Sequence, residues 1–194
     1  LRPYIEAAPG SVLRNAYLAT AEISAAYPQR DYSVRLPTSE SGSWVWRDPM
    51  HDSRWRHDAG AELVISAPLK AVGRTEPPEC PHFLREVSGP FAAETVLRIA
   101  HRGAGGLLLW SADDEYVLVG KWFMGLDDMR TVVCLRDEPG TVARGMLPSA
   151  EPVHLRLEFD GARVRTYCGR DGKTWLLSGD EPFAPTGPVH IGVY

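Results

Sequence analysis

Eight side chains have the types and spacing to do chemistry on a shared surface: Glu94, Arg98, Tyr116, Trp122, Arg156, Glu158, Arg165 and Tyr167. Cleaving a glycosidic bond takes two carboxylates about 5 to 10 Å apart, one to protonate the leaving oxygen and one to act as base or nucleophile. Glu94 and Glu158 are the best candidates for that pair. The other six suit binding without bond breaking. An aromatic ring stacks on the apolar face of a sugar, and planar charged groups bond its hydroxyls two at a time. A plainer role competes with both, because opposite charges pair across any solvated sheet face.

Other constellations are weaker. His51-Asp52 and His57-Asp58 repeat a dipeptide whose imidazole and carboxylate suit zinc or iron. Nothing nearby completes a ligand set, so they read as a solvated loop. Asp113-Asp114-Glu115 offers oxygens to calcium, which takes six to eight of them. Three acids on a hairpin turn read more simply as solvated. Asp171 and Glu181 read as turn residues. There is no P-loop, no G-x-G-x-x-G after a strand and no G-x-S-x-G elbow. Gly103-Ala-Gly-Gly106 leads into a strand, so it lacks the helix terminus that binds phosphate. No metal and no cofactor is expected.

The elements that must position these groups are strands. Phe91 to His101 alternates, with Phe91, Ala93, Thr95, Leu97 and Ile99 on one side and Glu94 and Arg98 on the other. Gly105 to Trp110 is a continuous apolar run. The acidic turn after it leads into Glu115 to Trp122, which predicts a hairpin. Val117 and Val119 then take the core side and leave Tyr116 and Trp122 opposite. Val153 to Phe159 buries Leu155, Leu157 and Phe159 and leaves Arg156 and Glu158 outward. Asp160-Gly161 is a turn signal, and Val164 and Cys168 beyond it leave Arg165 and Tyr167 outward. Further strands are expected at 44–46, 62–66, 130–136, 141–146, 174–177 and 189–194, with Glu138-Pro139-Gly140 as a turn. Short strands at such intervals without helices between them predict an antiparallel sandwich or barrel. Ahead of it, Ser11 caps a predicted helix to about Tyr27 with Leu13, Ala16, Tyr17, Thr20, Ile23 and Tyr27 at helical spacing. Residues 1–42 are thus an extension and 43–194 the β domain.

Composition narrows the partners. Lys plus Arg is 21 and Asp plus Glu is 25, giving a net charge of −4. That excludes a dedicated nucleic-acid binder and speaks against an anionic membrane surface. The longest stretch without a charged residue, Pro182 to Tyr194, is far short of the ~20 residues a membrane span needs. The sequence shows neither a starting Met nor a secretory core. Cys80, Cys134 and Cys168 are odd in number and have no C-x-x-C spacing, so they are expected as free, mostly buried thiols. Free thiols favour a reducing, cytoplasmic setting, with secretion still open if a signal has been removed.

Several pieces resemble a known family. Trp44-Val-Trp46-Arg-Asp-Pro49, Trp55 and Glu62-Leu-Val-Ile65 resemble the opening of a concanavalin A-like domain. Phe91-Ala-Ala-Glu94-Thr95 and the stretch from Gly103 to Val117 resemble its following strand and hairpin. Val153-His-Leu-Arg-Leu157, Asp160-Gly161, Tyr167, Asp171-Gly172 and Trp175 are similar to its ending. The group is poorly characterised and includes the C-terminal module of bacterial β-xylosidases and the yeast regulator-of-enolase protein. The sequence departs from it at Cys168-Gly169-Arg170. The resemblance implies a jelly roll of two antiparallel sheets, one of them concave. The laminarinase-type enzymes of the wider superfamily carry Glu-x-Asp-x-x-Glu, which is absent here. The expected function is therefore a non-catalytic module that binds carbohydrate in a concave groove or serves as an accessory domain. The alternatives are a protein-interaction domain and an enzyme using Glu94 and Glu158. Trp44, Trp46 and Trp175 are expected to support the fold.

Overall fold

The computed structural model describes residues 44–51, 53–57, 63–67, 79–99, 103–123, 127–135, 138–145 and 152–194. The predicted N-terminal helix and the 37–43 connection lie outside the described residues. The described residues form thirteen strands. They are β1 Val45–Arg47, β2 Arg54–His57, β3 Leu63–Ser66, β4 His82–Val87, β5 Phe91–Leu97, β6 Gly103–Ala112, β7 Glu115–Phe123, β8 Asp127–Leu135, β9 Glu138–Gly145, β10 Val153–Phe159, β11 Arg163–Gly169, β12 Leu176–Pro182 and β13 Val189–Val193.

Every strand pairing is antiparallel. Seven strands make one sheet in the order β1-β4-β13-β6-β7-β8-β9. A second sheet has the order β12-β11-β10-β5, and β2 pairs with β3 as a separate ribbon. The chain passes from the first sheet to the second between β4 and β5. Gly89 makes that crossing with φ +70, a conformation glycine adopts without a side-chain clash.

Alternation builds the core. Leu107, Leu109, Val117, Val119, Met129, Val133 and Ile191 of the seven-stranded sheet face Phe91, Ala93, Leu155, Leu157, Phe159 and Val164 of the other. Each fully buried aliphatic or aromatic side chain contributes roughly 1.5–3 kcal/mol. A polar bridge crosses this layer. The hydroxyls of Thr131 on β8 and Thr166 on β11 lie 2.7 Å apart, both buried. Trp44 lines a cleft with Ala93, Thr95, Leu107 and Val193, and Trp46 packs 4.8 Å from Phe83.

A second apolar layer lies on the far face of the seven-stranded sheet, made of Leu84, Leu108, Tyr116, Leu118, Trp122, Cys134 and Tyr194. A Cβ on Gly120 would collide with the Tyr194 hydroxyl and the Gly105 carbonyl, so only glycine lets Tyr194 lie across the sheet there. The Arg47 guanidinium of β1 reaches past β4 and β13 to lie 4.5 Å from the Trp110 ring centroid on β6. In a flat sheet the two backbone positions would be about 14 Å apart across the strands and about 13 Å along them. The contact therefore spans the twisted sheet along a diagonal, through the reach of both side chains.

Three expectations change. Strand β4 was not predicted, because its core residues are followed by the charged pair Arg85-Glu86 and preceded by Pro81. Residues 54–57, read as loop, form β2. The proposed 138–140 turn lies within β9, whose pairing starts at Leu135↔Glu138. Pro139 is tolerated there because β9 is an edge strand.

Candidate functional site

The outer face of the four-stranded sheet carries a ladder of charges. The register sets Arg156 beside Glu94 on one flank and Tyr167 on the other. It sets Glu158 beside Arg165, and Arg165 beside Asp180. All of them face outward because Leu155, Leu157 and Val164 take the core side.

Arg156 is the hub. Its Nε donates to Glu158 Oε1 at 2.8 Å, and its Nη1 donates to Glu94 Oε1. Its Nη2 sits 2.7 Å from Glu158 Oε1, an ion-pair contact off the hydrogen-bond axis. The Tyr167 hydroxyl donates to Glu158 Oε2 at 3.0 Å. One rung along, Arg165 Nε lies 3.5 Å from Asp180 and its Nη1 3.6 Å from Asp160. Arg163 Nε donates to Asp180 Oδ1 at 3.1 Å.

Burial falls unevenly across this network. The Arg156 side chain is 6% exposed, Glu158 17% and Glu94 45%. Burial alone would weaken the guanidinium as a cation. The bonds and charge of Glu158, then of Glu94, more than offset that and hold it above its ordinary value. Burial, followed by the Glu158 charge, pushes the Tyr167 phenol well up. Both oxygens of Glu158 are engaged, and Glu94 is tied to the same guanidinium. The two carboxylates are thus held by one guanidinium. The second oxygen of Glu94 remains open to a ligand hydroxyl.

The eight predicted residues do not share one surface. Tyr116 and Trp122 lie on β7, in the other sheet, 1% and 3% exposed. Trp122 packs 6.1 Å from Tyr194 with the Arg130 guanidinium 5.6 Å from its ring. Strand parity gives the side on which a residue points but not the sheet to which its strand belongs, so the single groove resolves into two faces. Arg156, Glu158, Arg165, Tyr167 and Glu94 do come together. Arg98 lies just beyond β5 and is exposed.

Asp180 and Asp160 complete the ladder and were missed as site residues. Residues 178–182 read as a loop, although Asp160 stood in a recognised turn. The Arg47–Trp110 contact, with His190 5.3 Å from the Trp110 ring, had no local signal.

The acidic turn also differs from expectation. Glu115 is buried and accepts from Thr186 N at 3.0 Å and from its hydroxyl at 3.1 Å. It therefore anchors the 183–188 segment rather than facing solvent. Among the described residues no three His, Cys, Asp or Glu side chains gather as a metal-ligand set. Cys80, Cys134 and Cys168 are free thiols, the last two buried.

No protein-family model matches the sequence, and no curated protein does either. Solved structures do match. A functionally unknown protein from Saccharomyces cerevisiae superposes with a TM-score of 0.51 at 17% identity, over 82% of this chain and 83% of that one. The carbohydrate-binding module CBM66 from Bacillus subtilis gives 0.50 at 15% identity, over 76% of this chain and 85% of that one. A GH43_12 protein retrieved from a capybara gut metagenome gives 0.51 at 15% identity over 58% of this chain. This chain spans only about a quarter of the length of the GH43 proteins it matches, 26% in that case. These likenesses establish the fold alone, an all-β sandwich of antiparallel sheets.

Proposed function

We propose that the chain is a non-catalytic module that binds a neutral carbohydrate, serving as an accessory domain of a larger protein. Its binding face is the outer face of the four-stranded sheet, in place of the concave groove with Tyr116 and Trp122 that the sequence led us to expect, because those two side chains are buried in the other sheet. The arrangement of Glu94 carries this reading. One oxygen is fixed by the buried Arg156, while the side chain is 45% exposed and faces outward. A carboxylate held in place by a guanidinium accepts a sugar hydroxyl at its second oxygen without losing rotamer freedom on binding. Glu94, Arg156 and Glu158 together carry a charge of −1, which favours an uncharged glycan over a uronate. The overall likeness to a carbohydrate-binding module supports the same class.

One observation favours a protein-interaction surface instead. Tyr167, the aromatic of the ladder, is buried and does not present its ring for stacking.

Calorimetric titration against a broad panel of oligosaccharides decides between them. Wild type is expected to bind at least one neutral glycan. Glu94→Ala should weaken that affinity about tenfold, the worth of one charge-assisted hydrogen bond, with the melting temperature little changed. No binding across the panel would remove the carbohydrate reading.

A further inference from the structure

The seven-stranded sheet begins with a three-residue edge strand, β1, held against β4. His82 is the first residue of β4. It is 3% exposed and pairs in register with Arg47. Its Nδ1 lies 2.7 Å from the Cys80 carbonyl oxygen. A carbonyl can only accept, so Nδ1 carries the proton and Nε2 is the bare nitrogen of the neutral ring. Nε2 is buried and finds no partner among the described residues.

A proton arriving at Nε2 would meet no acceptor. The new cation would lie in the same row of the sheet as the Arg47 guanidinium. Two charged groups act on the ring, Arg47 from β1 and Asp113 from the β6–β7 turn. Among the described residues no carboxylate hydrogen-bonds the imidazole.

We propose that His82 is an acid-sensitive latch whose protonation releases β1 from β4. β1 is the element that yields because, among the described residues, it pairs on one side only and over three residues. Its departure lifts Arg47 from the Trp110 ring and Trp46 from Phe83. The latched form is the neutral-pH form. Burial, more than any other cause, holds the imidazole below its ordinary value of 6.5, and Arg47 adds to that. The released ring takes up a proton more readily, so the latched form loses ground as pH falls below about 6.5.

Hydrogen exchange read at the alternate β1 amides that bond to β4 tests this, after correction for the intrinsic pH dependence of exchange. Protection is expected to fall about tenfold between pH 7.5 and pH 5 in wild type while β6 and β7 keep theirs. His82→Asn retains a donor for the Cys80 carbonyl but cannot be protonated, and should abolish the loss. Arg47→Gln removes the opposing charge and should reduce it. Protection of β1 that is independent of pH in wild type would overturn the proposal. So would a loss that persists unchanged in His82→Asn.

Discussion

Removing the hub of the charge ladder gives the sharpest test of the site's architecture. In Arg156→Leu, Glu158 keeps only the Tyr167 hydroxyl, 3.0 Å away. Deleting one partner of a fully buried ion pair costs about 3–5 kcal/mol, because the other charge is stranded. Glu158 is 17% exposed, which sets its loss at the lower end of that range. Glu94 is 45% exposed and largely solvated, so its pair is worth below about 1 kcal/mol. The total is about 3 kcal/mol, or a fall of roughly 6–12 °C in melting temperature for a domain of this size. Thermal unfolding at low ionic strength would show it. The companion variant Arg156→Leu/Glu158→Leu removes the stranded carboxylate too and should recover most of the loss. If the double variant melts no higher than the single one, the cost comes from lost packing of the arginine stem, and the electrostatic account of the ladder is wrong.

Two other perturbations probe different layers. Thr166→Val should cost about 1–3 kcal/mol by leaving the Thr131 hydroxyl buried without its partner at 2.7 Å. Thr131→Val/Thr166→Val should lie close to wild type in denaturant titration. The Asp160 carboxyl accepts from the backbone N–H of Ala162 and Arg163, bonds that hold it below the usual carboxylate range. Its contribution is therefore present above its unfolded value near 3.8 and is lost as pH falls through the lower folded one. Asp160→Ala should flatten the acid limb of a stability-versus-pH curve, and an unchanged limb would show that this turn does not contribute.

Local signals carried much of this fold. Strands β6 and β7 were legible because an apolar run, an acidic turn and a second apolar run follow one another without interruption. Strands β10 and β11 were legible because Leu155, Leu157, Phe159 and Val164 alternate around Asp160-Gly161. Both signals depend on neighbours in sequence. Strand β4 was hidden by Arg85-Glu86, and most of β12 by Ser178-Gly179-Asp180-Glu181-Pro182, where the pairing follows a register shift between Thr166 and Tyr167. The site was half legible for the same reason. Parity turned Arg156, Glu158, Arg165 and Tyr167 to one side and Tyr116 and Trp122 to one side. Which sheet received each strand depended on pairings 60 or more residues apart, such as Arg156 with Glu94, which no local period encodes.

The place of β13 constrains how the molecule assembles. This strand is the last of the thirteen along the chain, yet it lies inside the larger sheet between β4 and β6. Until residues 189–193 are synthesised and docked, that sheet exists as two separate pieces, β1 with β4 and β6 through β9. Each piece then exposes an unpaired apolar edge, β4 on one side and β6 on the other, and such edges template pairing with other chains. The closing step joins strands about a hundred residues apart in sequence, a slow event by loop-closure arithmetic. During that interval the nascent chain is open to misassembly.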